Sequence, residues 1–253
     1  MQKIQPIFVD SIPSTNEAVK ALAREGAPEG LMMVARGQSH GYGRLDRAFF
    51  SPPDTGLYMS LLLRPTFSPE KAHLITHAAA LAVKRAIKEV SGADALIKWV
   101  NDIYVEGKKA SGILVESALS HDGTLAYAVV GIGVNLFPPQ TGFPPHLSHV
   151  TSILPAARRG EFDALRDALI RAILRHFSAI YDAFPSTDFL TEYKESMLLI
   201  GKEVTVYDAL TDREKKGIGK TARALDVTDG GALLVEYEDG TREALTSGEV
   251  TLG

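Results

Sequence analysis

Residues suited to chemistry crowd into the stretch IKWVNDIYVEGKKASGILVE, at positions 97–116. Its apolar residues alternate as in a half-buried β-hairpin, which predicts a tight turn at Glu106–Gly107. Lys98 and Asp102 then lie at one end of a strand, and Lys109 lies near the start of the returning strand. Fixed cations so placed can stabilise the charge that develops when an anionic, phosphate-bearing ligand reacts. An ordinary edge hairpin with solvated lysines explains the same residues, and both interpretations stay open at this point.

A second group of candidates follows at positions 37–55. The segment GQSHGYGRLDR combines several glycines with Arg44 and Arg47. Glycine lets the backbone approach a ligand closely, and guanidinium groups bind phosphate or carboxylate oxygens. The segment has neither helical nor strand periodicity, so we expect a long loop that is mobile when empty and ordered over a ligand. A solvated surface loop with incidental arginines is the alternative.

The third candidate is a helix N-terminus. Ser14 and Glu17 have the spacing of a capping box, an apolar face follows, and Gly26 marks the end of the helix. Ser14, Thr15 and Asn16 therefore cap this helix, and its free N–H groups can also bind an acceptor-rich ligand. The two interpretations are compatible.

The elements that must position these residues indicate an α+β fold. A strand precedes the first helix, and two more strands flank the glycine-rich loop. A second helix is predicted from 69 to 90, followed by antiparallel strands at 96–105, 111–119 and 124–134. A helical pattern from 160 to 197 is interrupted near Pro185. We expect a mixed, largely antiparallel sheet with flanking helices.

The pattern changes near residue 200. After Gly201 the chain consists of short β-rich pieces with turn residues every 8 to 12 positions, which predicts a small barrel. The sequence thus predicts two domains, 1–200 and 201–253.

Composition narrows the classes of function. The 253 residues carry a net charge of −4 without a run of like charges, so a dedicated nucleic-acid surface is not expected. The absence of cysteine excludes a thiolate nucleophile and Cys-ligated zinc. The first residues lack the pattern of a signal peptide and no segment has the length and apolarity of a membrane span, so we expect a cytoplasmic enzyme.

Three motif-like segments lack the full pattern of the nucleotide-binding motifs that they resemble. GIGKT at 217–221 has Glu214 where a phosphate-binding loop needs its first glycine. GIGVNL and GYGRLD lack the third glycine of a dinucleotide fingerprint. His73 and His77 lie one turn apart on the second helix without the glutamate of a zinc protease motif, so we expect a satisfied surface or core pair, and no metal site is predicted.

Taken in order and spacing, DSIPSTN, GQSHGYGR, SPPDTGLYMSLLL, KWVNDIYVEGKKASGILVE and GIGVNL resemble the biotin–protein ligases. The tail, with SGEVTL, resembles their C-terminal SH3-like barrel, so the resemblance covers nearly the whole chain. It implies a class II synthetase-like catalytic domain that uses Mg²⁺ and ATP to convert biotin to biotinyl-5′-AMP. It further implies transfer of biotin to one lysine of a biotin carboxyl carrier domain.

The resemblance also implies roles for residues. Lys109 and Arg44 are implied to be catalytic, and Lys109 to lie near the biotin carboxylate and the α-phosphate. The implied biotin-binding residues are Ser14, Thr15, Asn16, Gln38, Gly41, Tyr42, Gly43, Arg44, Lys109 and Gly112. The implied ATP- or adenylate-binding residues are Arg44, Arg47, Phe49, Asn101, Asp102, Lys109 and Asn135.

This chain departs from the family pattern at several positions. Tyr42 replaces the first arginine of a G-R-G-R loop, Leu45 and Asp46 replace its Arg-Gly, and Phe49 and Val100 replace Trp and Pro. A lipoate–protein ligase and a non-catalytic biotin-binding sensor therefore remain alternatives. Only about a dozen residues precede the Ser-Thr-Asn helix, so we expect a monofunctional enzyme without direct DNA binding. The sequence leaves open whether the chain forms a homodimer.

Overall fold

The larger sheet lies in the N-terminal part of the chain. The computed structural model describes residues 3–207 and 219–252, and within them seven strands form a sheet in the order β1-β2-β3-β7-β6-β5-β4. The strands are Gln5–Ile12 (β1), Leu31–Gln38 (β2), Gly56–Leu63 (β3), Ala95–Lys98 (β4), Asp102–Val105 (β5), Lys108–Leu119 (β6) and Leu125–Asn135 (β7). β1 pairs with β2 in parallel, and the other neighbours in this sheet pair antiparallel. The mixed, largely antiparallel α+β sheet is thus confirmed.

Helices cover both faces of this sheet. They span Thr15–Arg24 (α1), Leu74–Ser91 (α2), Phe162–Tyr181 (α3) and Phe189–Glu195 (α4). In β2, Leu31 and Met33 pack with the apolar residues of α1, whereas Met32 and Val34 pack with those of α2 and α3 on the opposite face. Because both faces are buried, the central strands read as continuous apolar runs and not as alternating ones.

The prediction of one continuous strand from 96 to 105 is wrong, because the chain leaves the sheet between β4, which ends at Lys98, and β5, which begins at Asp102. Three hydrogen bonds, each from a side chain to a backbone carbonyl, hold this turn. Trp99 Nε1 donates to the Gly231 carbonyl at 3.1 Å, Tyr193 Oη donates to the Val100 carbonyl at 3.0 Å, and Asn101 Nδ2 donates to the Ile113 carbonyl at 2.7 Å. These partners are distant in sequence, so periodicity could not predict the break.

Two other local predictions can be compared with the structure. The turn between β5 and β6 is confirmed at Glu106 and Gly107, whose φ values of 50° and 74° are those of a two-residue hairpin turn of the I′ type. The helix predicted from 69 begins later, at Leu74, because Pro69–Lys71 forms a separate 3₁₀ turn.

A second sheet follows in the C-terminal part. In the described residues beyond 200, five antiparallel strands have the order β11-β10-β9-β8-β12. They are Glu203–Tyr207 (β8), Lys220–Val227 (β9), Leu233–Tyr237 (β10), Arg242–Leu245 (β11) and Glu249–Leu252 (β12). Residues 208–218, and with them part of the GIGKT segment, lie outside the described residues.

Two histidines at the start of α2, His73 just before it and His77 in its first turn, contact the C-terminal sheet. His73 Nε2 lies 2.7 Å from the Gly230 carbonyl, and His77 Nε2 lies 2.9 Å from the Gly231 carbonyl, in the turn between β9 and β10. Burial lowers the pKa of His77 to about 4, so its imidazole is neutral near pH 7. The pair therefore packs α2 against the second sheet. In the described part of the chain, no helix has the length and apolar composition needed to cross a membrane.

Candidate active site

One cleft brings most of the predicted site residues together. It lies between the start of α1, the loop after β2, the open surface of β6 and β7, and the edge of β12, and its volume is about 950 Å³ with the mouth included. That volume is in the range of small-molecule sites. The predicted residues that line it are Ser14, Thr15, Asn16, Gln38, Tyr42, Gly43, Arg44, Arg47, Phe49, Asn101, Asp102, Lys109 and Gly112.

The neutral polar side chains of the cleft come from the buried N-terminus of α1. The Ser14 hydroxyl accepts from the Glu17 amide, as the capping spacing predicts. Gln38 Oε1 accepts from the Thr15 amide at 2.9 Å and from its hydroxyl at 3.1 Å. Ser60, fully buried on β3, contacts both Thr15 Oγ1 and Asn16 Oδ1. These mutual hydrogen bonds fix the side chains before any ligand arrives.

Two glycines of β7 make room for side chains of the cleft. A Cβ on Gly131 would lie 2.2 Å from Asn16 Oδ1, and a Cβ on Gly133 would lie 2.5 Å from the Phe49 ring. Side chains at these positions would displace Asn16 and Phe49. The glycines of the GIGVNL segment therefore serve close packing of site residues against the sheet.

Several cations line the same cleft. Lys109 Nζ lies 2.6 Å from Asp102 Oδ1, and the neighbouring Lys108 is exposed, as the alternation of side chains along a strand requires. Arg44 donates to the Gly248 carbonyl at 3.0 Å. Burial lowers the pKa of Arg44, although the negative charges of Asp102 and Glu249 oppose this shift, and its guanidinium stays protonated at neutral pH. A partly desolvated guanidinium beside a lysine favours an anionic ligand.

The C-terminal sheet contributes directly to this cleft. Gly248, Glu249 and Val250 line it, and Glu249 forms an ion pair with Arg47. Sequence analysis recognised the SGEVTL segment that contains these residues but did not predict them as part of the site, because they lie some 200 positions after the loop that they contact. It also missed Trp99 and Gly131 as lining residues, although the segments that contain them were recognised.

Tyr42 contacts acidic residues. Its hydroxyl lies 2.7 Å from Glu17 Oε1 and 2.8 Å from Glu116 Oε2. Burial, together with these two carboxylates, raises the pKa of Tyr42, so the phenol is protonated and donates. The Lys20 ammonium lies 5.7 Å from the centre of the Tyr42 ring and bonds both carboxylates. At the position where this chain departs from the G-R-G-R pattern of the resemblance, a neutral hydroxyl thus ties the loop to the start of α1 and to β6.

Two predicted site residues lie behind the wall of the cleft. A Cβ on Gly41 would lie 2.6 Å from Ser51 Oγ and 2.9 Å from Gln38 Nε2, so this glycine lets the loop pack against Gln38. Asn135 is buried at the end of β7, where its Nδ2 donates to the Thr151 carbonyl at 3.0 Å. Their implied roles in ligand binding stay predictions.

The cleft has few groups that could hold a metal. Among the described residues there is no group of three or more His, Cys, Asp or Glu side chains placed to bind one. Mg²⁺ that accompanies a nucleotide keeps several waters and needs only one or two carboxylates besides the phosphates. Asp102 in the cleft meets this need, so the residues present fit a magnesium ion that arrives with ATP.

Comparison with known proteins places the chain in a family. Residues 8–135 match the model of the biotin/lipoate A/B protein ligase family, and residues 199–253 match that of the biotin protein ligase C terminal domain. The bifunctional ligase/repressor BirA of Bacillus subtilis is 32% identical over 248 residues, which are 98% of this chain and 74% of that protein. A biotin–[acetyl-CoA-carboxylase] ligase of Mycobacterium tuberculosis is 26% identical over 94% of this chain and 85% of its own length.

A solved structure agrees with these matches. The biotin protein ligase from Aquifex aeolicus in complex with biotin and ATP superposes with a TM-score of 0.76 at 27% identity, and 98% of each chain is covered. The first family model spans half of the chain, and a relative above 30% identity spans nearly all of it. The chain therefore belongs to the biotin/lipoate A/B protein ligase family.

Proposed function

We propose that the chain is an ATP-dependent biotin–protein ligase. In the first step a carboxylate oxygen of biotin attacks the α-phosphorus of ATP, the bond to pyrophosphate breaks, and biotinyl-5′-AMP forms. In the second step a lysine amine of a biotin carboxyl carrier domain attacks the biotinyl carbonyl and AMP leaves. Neither step needs a nucleophile from the enzyme, so the absence of cysteine is no obstacle.

The observation that carries this proposal is that one cleft joins a pre-ordered neutral pocket with fixed cations. Thr15, Asn16 and Gln38 supply neutral hydrogen-bonding groups for a polar, uncharged head group. Lys109 and Arg44 supply positive charge where two anions must approach one another. Such preorganised charge is usually the largest contribution to catalysis of this kind. Mg²⁺ bound with ATP would supply neutralisation of phosphate charge, and Asp102 would be the side chain in the cleft that helps to hold it.

The implied roles follow from this arrangement. Lys109 and Arg44 stabilise the charge on the carboxylate and the α-phosphate, and Asp102 holds the Lys109 ammonium in place at 2.6 Å. Ser14, Thr15, Asn16 and Gln38 bind the biotin head. We assign nucleotide contacts to Arg47, Phe49 and Asn101, which line the same cleft.

We also propose that residues 1–200 form the catalytic domain and 201–253 a second domain that completes the nucleotide side of the site. Two contacts support this assignment. Arg44 donates to the carbonyl of Gly248, just before β12, and Arg47 forms an ion pair with Glu249, the first residue of β12. The carrier domain of a biotin-dependent carboxylase is the proposed acceptor.

Pyrophosphate release tests the proposed reaction. The purified chain with ATP and Mg²⁺ should release pyrophosphate when biotin is added and should release none when lipoate replaces biotin. Release with lipoate in place of biotin would indicate a lipoate ligase. Biotin binding without pyrophosphate release would indicate a sensor, and either result would overturn the proposal.

A further inference from the structure

Glu116, on β6, joins two residues of the cleft although its own side chain does not line it. Its Oε2 atom accepts from Asn16 Nδ2 at 2.9 Å and from the Tyr42 hydroxyl at 2.8 Å. Its Oε1 atom accepts from Lys20 Nζ at 2.6 Å. One carboxylate thus connects the start of α1 with the loop that borders the cleft.

The charge of Glu116 determines which way the Asn16 amide faces. An ionised carboxylate only accepts hydrogen bonds, so the Asn16 NH₂ group, and not its oxygen, must face Glu116. The Asn16 oxygen then faces the buried Ser60 hydroxyl, which donates to it. With a neutral amide in place of the carboxylate, both orientations of Asn16 would find a partner at this position.

The fixed orientation has a consequence for the ligand. An amide NH₂ carries two hydrogens, and Glu116 takes one of them. The other bonds no partner among the described residues, and Asn16 lines the cleft. The pocket therefore offers an N–H donor at this point, which suits the carbonyl oxygen of a cyclic urea and disfavours a group that carries only donors.

We propose that Glu116 is a positioning residue that fixes the Asn16 amide as a donor and thereby selects a ureido carbonyl over a donor-bearing analogue. This inference rests on the proposed function, because it takes the ureido ring of biotin as the group that meets Asn16. Lys20 supports Glu116 through its ion pair, and the Tyr42 hydroxyl brings the loop to the same carboxylate.

The test compares biotin with 2-iminobiotin. In the analogue a guanidinium group replaces the urea, so near neutral pH it presents donors where biotin presents an acceptor. The apparent KM for each compound is measured by pyrophosphate release with the wild-type protein and with Glu116→Gln. In the variant the Asn16 amide is free to turn its oxygen toward the ligand. We expect the preference for biotin over iminobiotin to fall by about tenfold, the size of one hydrogen bond.

Glu17 offers a matched control. Its carboxylate also lies within hydrogen-bond distance of the Tyr42 hydroxyl, at 2.7 Å, and pairs with Lys20, but it has no bond to Asn16. Glu17→Gln should therefore keep the wild-type preference. An unchanged preference in Glu116→Gln, or an equal rise of both KM values, would overturn the inference and leave Glu116 a structural residue.

Failure of the variant to fold, failure of the proposed function and failure of the role of Glu116 give different results. If Glu116→Gln does not fold, Glu116→Met replaces it, since methionine removes the carboxylate that fixes the Asn16 amide, and a loss of preference is again expected. If the wild-type protein releases no pyrophosphate with biotin, the proposed function has failed. If the wild-type protein is active and the variant keeps its preference, only the role of Glu116 has failed.

Discussion

The site tolerates an added methyl group least at Gly131, where β7 passes beneath the Asn16 side chain. A Cβ built there would lie 2.2 Å from Asn16 Oδ1 and 2.8 Å from Asn16 Cγ. Ordinary van der Waals contact begins at 3.4 Å, so in Gly131→Ala the amide must move by about 1.2 Å or the strand must yield. Asn16 cannot move so far and keep its bonds to Ser60 and Glu116.

The expected losses in stability and in activity differ in size. Overpacking of this kind costs about 1–3 kcal/mol, which a domain with a typical stability of about 5–15 kcal/mol survives. A displacement of about 1 Å in a positioning group lowers reaction rates by about 10²-fold. We therefore expect Gly131→Ala to fold, with a lower melting temperature, and to lose about 10²-fold in kcat/KM for biotin.

The assay is biotin-dependent pyrophosphate release over a range of biotin concentrations, with thermal unfolding measured on the same samples. Gly160→Ala is the matched control, because an added Cβ at Gly160 meets nothing within 4 Å. This control should keep wild-type kinetics. A Gly131→Ala protein with wild-type kcat/KM for biotin would refute the steric argument, and with it the placement of biotin against Asn16.

Three other predictions concern charge, pH and the loop. Lys109→Met should lower the rate of adenylate formation by about 10²–10³-fold, because it removes a fixed cation from the site. Lys108 is exposed, so Lys108→Met should stay near the wild-type rate. Normal pyrophosphate release from both variants would show that the hairpin has only a structural role. The pKa of His77 is lowered from 6.5 to about 4 by burial, so the unfolded state alone takes up this proton as pH falls through that window. The free energy of unfolding should thus fall by up to about 3 kcal/mol as pH is lowered from 6.5 to 4. Urea unfolding of His77→Gln should lack this part of the pH dependence. An equal pH dependence of stability in wild type and variant would contradict the prediction. Amide hydrogen exchange in residues 37–55 should slow when biotinyl-5′-AMP is added, and equal exchange with and without it would count against an ordering loop.

The local signals of the sequence predicted the elements that position the site. The Ser14 and Glu17 spacing marked the start of α1, and alternation with the Glu106–Gly107 turn marked the hairpin of β5 and β6. The break at 99–101 could not be predicted, because Trp99 and Tyr193 hold it through hydrogen bonds that span about 90 to 130 positions. The parallel pairing of β1 with β2 likewise has no signature within either strand.

The site was predictable where a residue type implies its chemistry. The glycines of GIGVNL indicated close approach, but which side chain approaches each of them needed coordinates. Leu45 and Asp46 adopt positive φ values of 65° and 56°, a conformation that glycine takes without strain and that leucine rarely adopts. No sequence rule predicts it for leucine. Glu116 was passed over because it contacts the proposed ligand only through Asn16 and Tyr42.

The most direct test of the proposed ligase reaction is one incubation of the chain with ATP, Mg²⁺, biotin and a biotin carboxyl carrier domain, read by intact-protein mass spectrometry. We predict that the carrier gains the mass of one biotinyl group on a single lysine, with one AMP and one pyrophosphate released for each group transferred. Omission of ATP, or replacement of that lysine by arginine, should abolish the gain. An unmodified carrier, together with no biotin-dependent pyrophosphate release, would contradict the account.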